Sequence, residues 1–311
     1  MQKQDIKYVL KALGLFLVIS LAADKLIYIA LNKISDKVYS GQGIGKVNHF
    51  LKIKNNRDLL IFGSSRANHN IDPTLLNDKG FNMGVDGSKI AYSSILIKCL
   101  PKDQKQVVIL QIDPEHFFDQ DYIGADVQVL LSKYNRMELV KKEIDALAME
   151  NVFQKFYWSL SYNGKVFSIL KNMLKPKYDY KKYNGFDPIK VSPNQKAMFE
   201  KILTRNKSVT CEDSLTPNPI YVRLLNEIKL FCNDNGKDLV LFTSPLYKDL
   251  CQEDNDKMKR FLLQKNFKYY DFTDFFNDNP SLDNWKDKKH LSDLGAQQFT
   301  QEISKRLELT N

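Results

Sequence analysis

The sequence predicts an α/β protein built on a parallel sheet with helices covering both faces. Five short apolar runs have the length and continuous hydrophobicity of buried strands. Segments with helical spacing alternate with these runs, as is typical of a parallel sheet buried on both sides. Glycines and polar residues stand at the ends of several runs, where such sheets bind ligands. The expected strands are 58–63, 81–85, 107–112, 238–244 and 268–273.

Helical spacing is also present outside this alternation. Residues 119–215 do not fit the strand–helix pattern and are interpreted as a helical insertion or lid, with helical stretches at 137–149 and 152–174. Aromatic side chains that follow them suit a carbohydrate-binding surface or the packing of a loop onto the core, and packing is favoured. These aromatic residues are Tyr178, Tyr180, Tyr183 and Phe186. The helices expected to cover the sheet are 88–100, 220–233 and 293–307.

The first forty residues contain a nearly unbroken apolar run at 12–23, preceded by lysines. A helix over 8–31 would be about 36 Å long at ~1.5 Å per residue, which is enough to cross a bilayer. A single-pass anchor is the favoured interpretation, with a cleaved signal peptide and a buried soluble helix as alternatives. Lysines before the run favour a cytoplasmic N-terminus, so the rest of the chain is expected on the periplasmic or extracellular face.

The expected organisation is an anchor or signal peptide over 1–32, a linker over 33–56, and a larger domain over 57–311 that carries the insertion. The chain has 311 residues and a net charge of +9. Its lysines are spread along the sequence, which indicates a solvated surface rather than a nucleic-acid site.

The four cysteines lack the spacing of a metal site or of a redox CxxC motif, and neither a metal nor another cofactor is expected. Cys99 and Cys232 stand among apolar residues, as buried thiols do. Cys211 and Cys251 lie in polar stretches and could pair in an oxidising compartment.

Two adjacent serines follow the first expected strand, in the segment FGSSR at 62–66. A serine at a tight strand-to-helix turn exposes its hydroxyl beside the free backbone N–H groups of the helix start. This arrangement suits a nucleophile whose acyl intermediate needs an oxyanion site. A serine that merely caps the helix is the alternative.

A second candidate segment, DKKHLSDLGA, lies near the C-terminus and contains Asp287 and His290. One turn brings side chains three residues apart together, and an imidazole beside a carboxylate is held in one tautomer and stabilised when charged. Such a histidine can act as a general base for a serine, and Ser65 is the candidate. The alternative is a surface histidine that caps the last helix.

Together these segments resemble the SGNH/GDSL hydrolase superfamily over about 58–307, apart from the insertion. FGSSR resembles the first block of that family, and DKKHLSDLGA resembles the last. The resemblance implies a three-layer sandwich with a flavodoxin-like parallel sheet, the SGNH hydrolase fold. It also implies a catalytic triad formed by Ser65, His290 and Asp287.

The segment NMGVDG at 82–87 resembles the second block of the family. The resemblance implies that the Gly84 N–H joins an oxyanion hole and that Asn82 belongs to the same oxyanion or substrate-binding site. The third block, GxND, is missing. QIDP at 111–114 stands in its place, with Gln111 as a weak substitute for the oxyanion-donating Asn.

Membrane-anchored members with GSS or GTS in the first block resemble accessory proteins of cell-envelope O-acylation. The sequence therefore predicts a serine esterase or O-acyltransferase that acts on acyl esters of envelope glycans or polymers. A membrane acyltransferase is a possible partner. The alternative is a non-catalytic envelope assembly protein, which the missing third block favours.

Structural roles are expected for Arg66, His69 and His116 beside the site, and Asp113 lacks the neighbours of a metal ligand.

Overall fold

The computed structural model describes residues 3–149, 151–204, 211, 215–278 and 280–307. The chain forms two units. Unit 1 consists of Met1–Asn48 and Gln128–Lys177. Unit 2 consists of His49–Val127 and Tyr178–Asn311 and contains the sheet.

All five strands pair in parallel, in the order β2-β1-β3-β4-β5. The predicted α/β class and parallel sheet are therefore confirmed. This order reverses between β1 and β3, and open parallel sheets bind ligands outside the carboxyl ends of the strands at such a reversal. The strands are β1 Leu59–Phe62, β2 Gly80–Asn82, β3 Gln106–Gln111, β4 Lys237–Thr243 and β5 Tyr269–Asp271.

Fourteen α-helices are present in the described part of the chain. Short 3-10 segments connect several of them. In chain order the helices are α1 Lys3–Ser35, α2 Ile44–Ile53, α3 Ser65–Asn70, α4 Ile90–Lys98, α5 Pro114–Phe117, α6 Leu131–Tyr134, α7 Glu138–Ala146, α8 Val152–Phe156, α9 Val166–Leu174, α10 Tyr180–Tyr183, α11 Pro193–Thr204, α12 Pro219–Asp234, α13 Gln252–Gln264 and α14 Asp293–Arg306.

Strand β1 is buried on both faces, which explains its unbroken apolar sequence. Leu59 and Ile61 join an apolar cluster with Phe299 of α14. Leu60 and Phe62 are equally buried, and successive side chains of a strand leave opposite faces. Helix α14 packs against α3, whereas α12 packs against α4 and β4.

Unit 1 is organised around α1, a helix long and apolar enough to cross a membrane. The apolar side chains between Ile6 and Ile19 are exposed to the surroundings, whereas Tyr28 is buried in a small cluster with Tyr162 and Ile169. The backbone N–H groups of Trp158 and Ser159 donate to the carboxylate of Asp24 at 2.7 and 3.0 Å. The single helical stretch predicted at 152–174 is in fact two helices, since the backbone breaks there to reach this carboxylate.

The insertion predicted at 119–215 contributes to both units. Residues 128–177 belong to unit 1, whereas Phe186 and Phe199 lie in the main apolar cluster of unit 2. Each of these two rings is about 3% exposed or less. Deletion of the whole stretch would therefore remove two core side chains from unit 2, so the stretch is not only an insertion or lid.

Cysteine states fit the sequence interpretation. Cys99 and Cys232 are buried free thiols, and Cys211 and Cys251 form a disulfide bond.

Candidate active site

Ser65 is the first residue of α3 and follows β1 after a two-residue turn. Ser64 occupies the N-cap, and its side-chain oxygen accepts the Arg66 N–H at 3.3 Å. The capping role that the sequence left open for either serine is thus taken by Ser64. The Ser65 hydroxyl, on a partly exposed residue, remains available for another partner.

The turn before Ser65 requires a glycine. Gly63 has a φ of +142°, which favours glycine. A Cβ added there would come within 2.7 Å of Cβ and 2.9 Å of Oε1 of Gln111 on the neighbouring strand. The absent side chain lets the serine turn pack directly against the end of β3.

Asp287 and His290 lie on a short hairpin loop between Trp285 and Leu291. These two flanking residues pair across the loop as an antiparallel bridge, and both are buried. The Lys286 N–H donates to the His290 carbonyl at 3.0 Å, which closes the loop. A loop held by two buried anchors presents its polar side chains in a fixed direction.

The loop places His290 between a carboxylate and a serine. His290 Nδ1 lies 2.9 and 3.0 Å from the two carboxylate oxygens of Asp287, and His290 Nε2 lies 2.8 Å from Ser65 Oγ. All three distances are within hydrogen-bond range. The three residues predicted as a triad are thus joined in the order serine, imidazole, carboxylate, with the spacing that nucleophilic catalysis needs.

The carboxylate of this trio is strongly held in its ionised form. Burial alone would raise the pKa of Asp287, but hydrogen bonds from the His290 ring and from the backbone N–H groups of Lys289 and His290 outweigh it. The pKa of Asp287 therefore lies well below its ordinary value. An ionised carboxylate favours the His290 tautomer that has its proton on Nδ1, which leaves Nε2 free to accept the serine proton.

Asn70, which sequence analysis did not single out, ties the histidine loop to the serine helix. Its Oδ1 accepts the Leu291 N–H at 3.0 Å, and its Nδ2 donates to Ser244 Oγ at 2.8 Å and to the Lys289 carbonyl at 3.4 Å. Asn70 ends the helix that Ser65 begins and is fully buried. It therefore sets the distance between Ser65 and His290.

Asn70→Ala should lower turnover by up to roughly 100-fold, because misplacement of a catalytic group by about 1 Å has an effect of that size. Asn70→Asp keeps the acceptor for Leu291 and should retain more activity. The measurement is kcat for an aryl ester, with thermal unfolding to check that each variant is folded. Asn235→Ala, at the end of α12, is the control. Unchanged kcat in folded Asn70→Ala would exclude this positioning role.

A buried ion pair lies directly behind the serine turn. Arg66 pairs with Asp113, and its other nitrogen donates to the carbonyls of Ser244 and Pro245. Both side chains are about 6% exposed. Burial lowers the pKa of Arg66 to about 10, so the guanidinium remains charged at neutral pH. The pair joins the carboxyl ends of β1, β3 and β4, which agrees with the structural role expected for Arg66.

Gln111 belongs to the same network. Its Oε1 accepts both the backbone N–H and the hydroxyl of Ser64, at 3.1 and 2.8 Å, and its Nε2 donates to Asp113 at 2.6 Å. Gln111 therefore supports the serine turn from beneath. This geometry does not favour the predicted role of Gln111 as a substitute oxyanion donor.

Gly84 and Asn82 also have internal partners. The Gly84 N–H donates to Asn82 Oδ1 at 2.8 Å, and Asn82 Nδ2 donates to the carbonyls of Ala67 and Ile71 at 2.8 Å each. A Cβ on Gly84 would come within 2.5 Å of the Asn68 backbone nitrogen. These residues hold α3 against the sheet end, so the predicted oxyanion role of Gly84 requires the N–H to change partner. The Ser65 N–H makes no hydrogen bond to any described residue.

His69 is brought beside His290, with ring centres 5.9 Å apart. Its Nδ1 faces the Asp187 carbonyl at 2.6 Å, and its Nε2 faces the Asp86 carboxylate at 3.0 Å. Two acceptors favour two N–H donors and hence the charged ring. Burial alone would lower the pKa of His69, but the hydrogen bonds to Asp86 and Asp187 outweigh it and raise this pKa. His69 thus has partners for both ring nitrogens, as expected, although it lies in α3 rather than in a loop.

No group of three or more His, Cys, Asp or Glu residues suited to a metal ion occurs in the described ranges. In comparisons with known proteins, no family model matches the chain, and no curated protein matches it significantly. Function must therefore be inferred from the residues and geometry described above.

Proposed function

We propose that the protein is a membrane-anchored serine acyl-ester hydrolase or O-acyltransferase of the SGNH type that acts on cell-envelope glycans or polymers. The observation that carries this proposal is the hydrogen-bonded series Ser65 Oγ, His290 Nε2, His290 Nδ1 and Asp287. The series lies at the carboxyl end of a parallel sheet, where ligands bind, and it has the nucleophile–base and base–carboxylate hydrogen bonds of an acyl-transfer site.

In the proposed mechanism Ser65 Oγ attacks the ester carbonyl while His290 takes the serine proton. Collapse of the tetrahedral intermediate expels the alcohol, which takes that proton from His290, and leaves an acyl group on Ser65. Asp287 stabilises the imidazolium that exists between the two transfers. The Ser65 N–H is the nearest candidate for the oxyanion site, where one donor is worth ~3 kcal/mol in well-studied hydrolases.

The second half of the reaction decides between the two activities. Water attacking the acyl-serine gives an esterase, and a sugar hydroxyl gives a transferase, with His290 as the base in both cases. The test is to incubate the full chain with an aryl acetate and increasing amounts of an oligosaccharide acceptor. Acetylated sugar formed at the expense of free acetate indicates a transferase, and acetate alone indicates an esterase. Absence of both products would count against the proposal.

Helix α1 supports the membrane part of the proposal, and the disulfide between Cys211 and Cys251 fits an oxidising compartment. Before protease treatment the protein should be in the membrane fraction. Protease added to intact spheroplasts should then digest unit 2. Protection from the protease, or a soluble cytoplasmic protein, would refute this topology. A mature form that begins near Ala23 would indicate a signal peptide instead.

A non-catalytic envelope protein is the second candidate. The observation that favours it is the internal bonding of Gly84 and Gln111, which leaves the Ser65 N–H as the available donor among the residues proposed for the oxyanion site. A protein of this class would keep the fold and membrane location without reacting with acyl donors. Covalent labelling of the serine separates the two candidates.

A further inference from the structure

Helices α8 and α9 of unit 1 both expose large apolar side chains. The side chain of Phe167 is 81% exposed, that of Leu174 is 73% exposed and that of Phe153 is 67% exposed. Soluble proteins rarely expose large apolar side chains in such groups. We call this the α8–α9 surface, and its residues are Val152, Phe153, Phe156, Phe167, Leu170 and Leu174.

Helix α9 has two apolar faces with different environments. Ile169 faces inward and is 2% exposed, in the cluster with Tyr28 of α1. Phe167, Leu170 and Leu174 are spaced by three and four residues, so they form a stripe on the outside. Packing within unit 1 explains the inner face and leaves the outer stripe without a partner among the described residues of that unit.

Contacts with α1 fix the level at which α8 meets the proposed membrane helix. The hydroxyls of Ser20 and Tyr157 lie 2.9 Å apart, and Asp24 accepts the Trp158 N–H at 2.7 Å. Lys25 donates to the Phe156 carbonyl. The apolar stretch of α1 before Asp24, from Ile6, is about 27 Å long at ~1.5 Å per residue, close to the ~30 Å of a bilayer core. Exposed apolar side chains continue beyond Asp24 at Leu26, Ile27 and Ile29, so the end of α8 lies at the level of the last apolar turns of α1.

Charge and aromatic content at this level match a lipid surface. Residues 151–177 contain five lysines and neither Asp nor Glu. Lysines near a bilayer are attracted to anionic headgroups, and tryptophan and tyrosine favour the interface between hydrocarbon and water. Lys25 also lies over the ring of Trp158, with Nζ 4.1 Å from the ring centre. The lysines are Lys155, Lys165, Lys171, Lys175 and Lys177. Lys165 donates to the carbonyls of Gln128 and Val129 at 2.9 and 3.2 Å, whereas Lys171, Lys175 and Lys177 are exposed at the end of α9 and after it.

We propose that the α8–α9 surface rests in the headgroup region of the same bilayer leaflet from which α1 emerges, with its apolar side chains among the upper acyl chains and with Lys171, Lys175 and Lys177 at anionic headgroups. This inference depends on the membrane anchor in the proposed function. We infer that lipid covers this surface because α8 contacts α1, the helix that would cross the bilayer. Unit 1 then keeps this surface in a fixed orientation toward the membrane.

The test uses the full chain reconstituted in vesicles whose lipids carry bromine on the acyl chains, with anionic phospholipid included. Bromine quenches tryptophan fluorescence at short range, and the chain has two tryptophans. Trp285 is 1% exposed in the core of unit 2, so quenching should come from Trp158 and should be lost in Trp158→Phe. Alkaline extraction and protease protection report the anchor separately.

Replacement of exposed apolar residues should weaken the contact between the α8–α9 surface and lipid while α1 stays inserted. Because Trp158 is bonded to α1 and reports the anchor, the reporter of the surface is Phe167→Trp in a Trp158→Phe background. This reporter should be quenched, and adding Phe153→Ser with Leu174→Ser should lower its quenching at least twofold, whereas the matched changes Phe153→Leu with Leu174→Ile should retain it. A reporter at position 167 left unquenched in an inserted chain would overturn the proposal. Crosslinking of these positions to another membrane protein in native membranes, without quenching in pure lipid, would do so as well. A chain that alkaline extraction releases from the vesicles instead contradicts the anchor.

Discussion

Ser65→Ala and His290→Ala should each abolish most turnover of an aryl acetate, with kcat lower by on the order of 10⁴-fold or more. A neutral serine hydroxyl is a poor nucleophile at pH 7 and needs a base within hydrogen-bond reach. His290 Nε2, at 2.8 Å, is that base. Asp287→Asn should be damaging but less complete, because the imidazole would lose its preferred tautomer and its stabilising charge.

The double variant of Ser65 and His290 should be little slower than either single variant, because the two residues act as a unit. Ser64→Ala is the matched control, since it removes the neighbouring hydroxyl. It should cost about 1 kcal/mol of stability as a lost helix cap and keep substantial activity. Full activity in Ser65→Ala, or additive losses in the double variant, would contradict the assignment.

Arg66→Met should destabilise the fold by about 3–5 kcal/mol, because it leaves the charge of Asp113 buried without its partner. The buried Asp113 would keep the Gln111 amide as a hydrogen-bond donor, which does not supply a countercharge. The measurement is the free energy of unfolding in denaturant, made on the full chain solubilised in detergent. The loss should be far larger than for an ordinary surface substitution.

Two controls separate the ion pair from a general sensitivity to substitution. Removing both charges, in Arg66→Met with Asp113→Leu, should recover much of the lost stability, because no unpaired buried charge remains. Lys196→Ala breaks the exposed pair between Lys196 and Asp283 and should leave the free energy of unfolding nearly unchanged. If Arg66→Met unfolds at the wild-type denaturant concentration, the pair does not stabilise the site.

Local sequence was sufficient to predict the sheet. Continuous apolar runs mark strands that are buried on both faces, and each of the five strands lies within its predicted run or extends one residue beyond it. The boundaries of 152–174 could not be read in this way. The break in that stretch depends on the Asp24 carboxylate, which accepts N–H groups more than 130 residues away in the chain.

The site was predictable in part for the same reason. Asp287 and His290 are near neighbours in sequence, and Ser65 follows a clear strand, so their roles could be proposed without a structure. Asn70 could not be found, because its partners Ser244 and Leu291 lie 174 and 221 residues further along. The internal hydrogen bonds of Gly84 and Gln111 could not be predicted either, because the position of a residue in a motif does not show which partner its polar atoms bind.

Covalent labelling of the serine tests the central claim most directly. A fluorophosphonate probe reacts with a serine activated by a base, and the full chain in membranes should be labelled at Ser65. Cleavage after Arg57 and Arg66 gives a peptide, 58–66, that contains both candidate serines, and fragmentation within it distinguishes them. We expect the label on Ser65 in wild type and none in His290→Ala. A label on Ser64, or an unlabelled wild-type protein in every membrane preparation, would contradict the account.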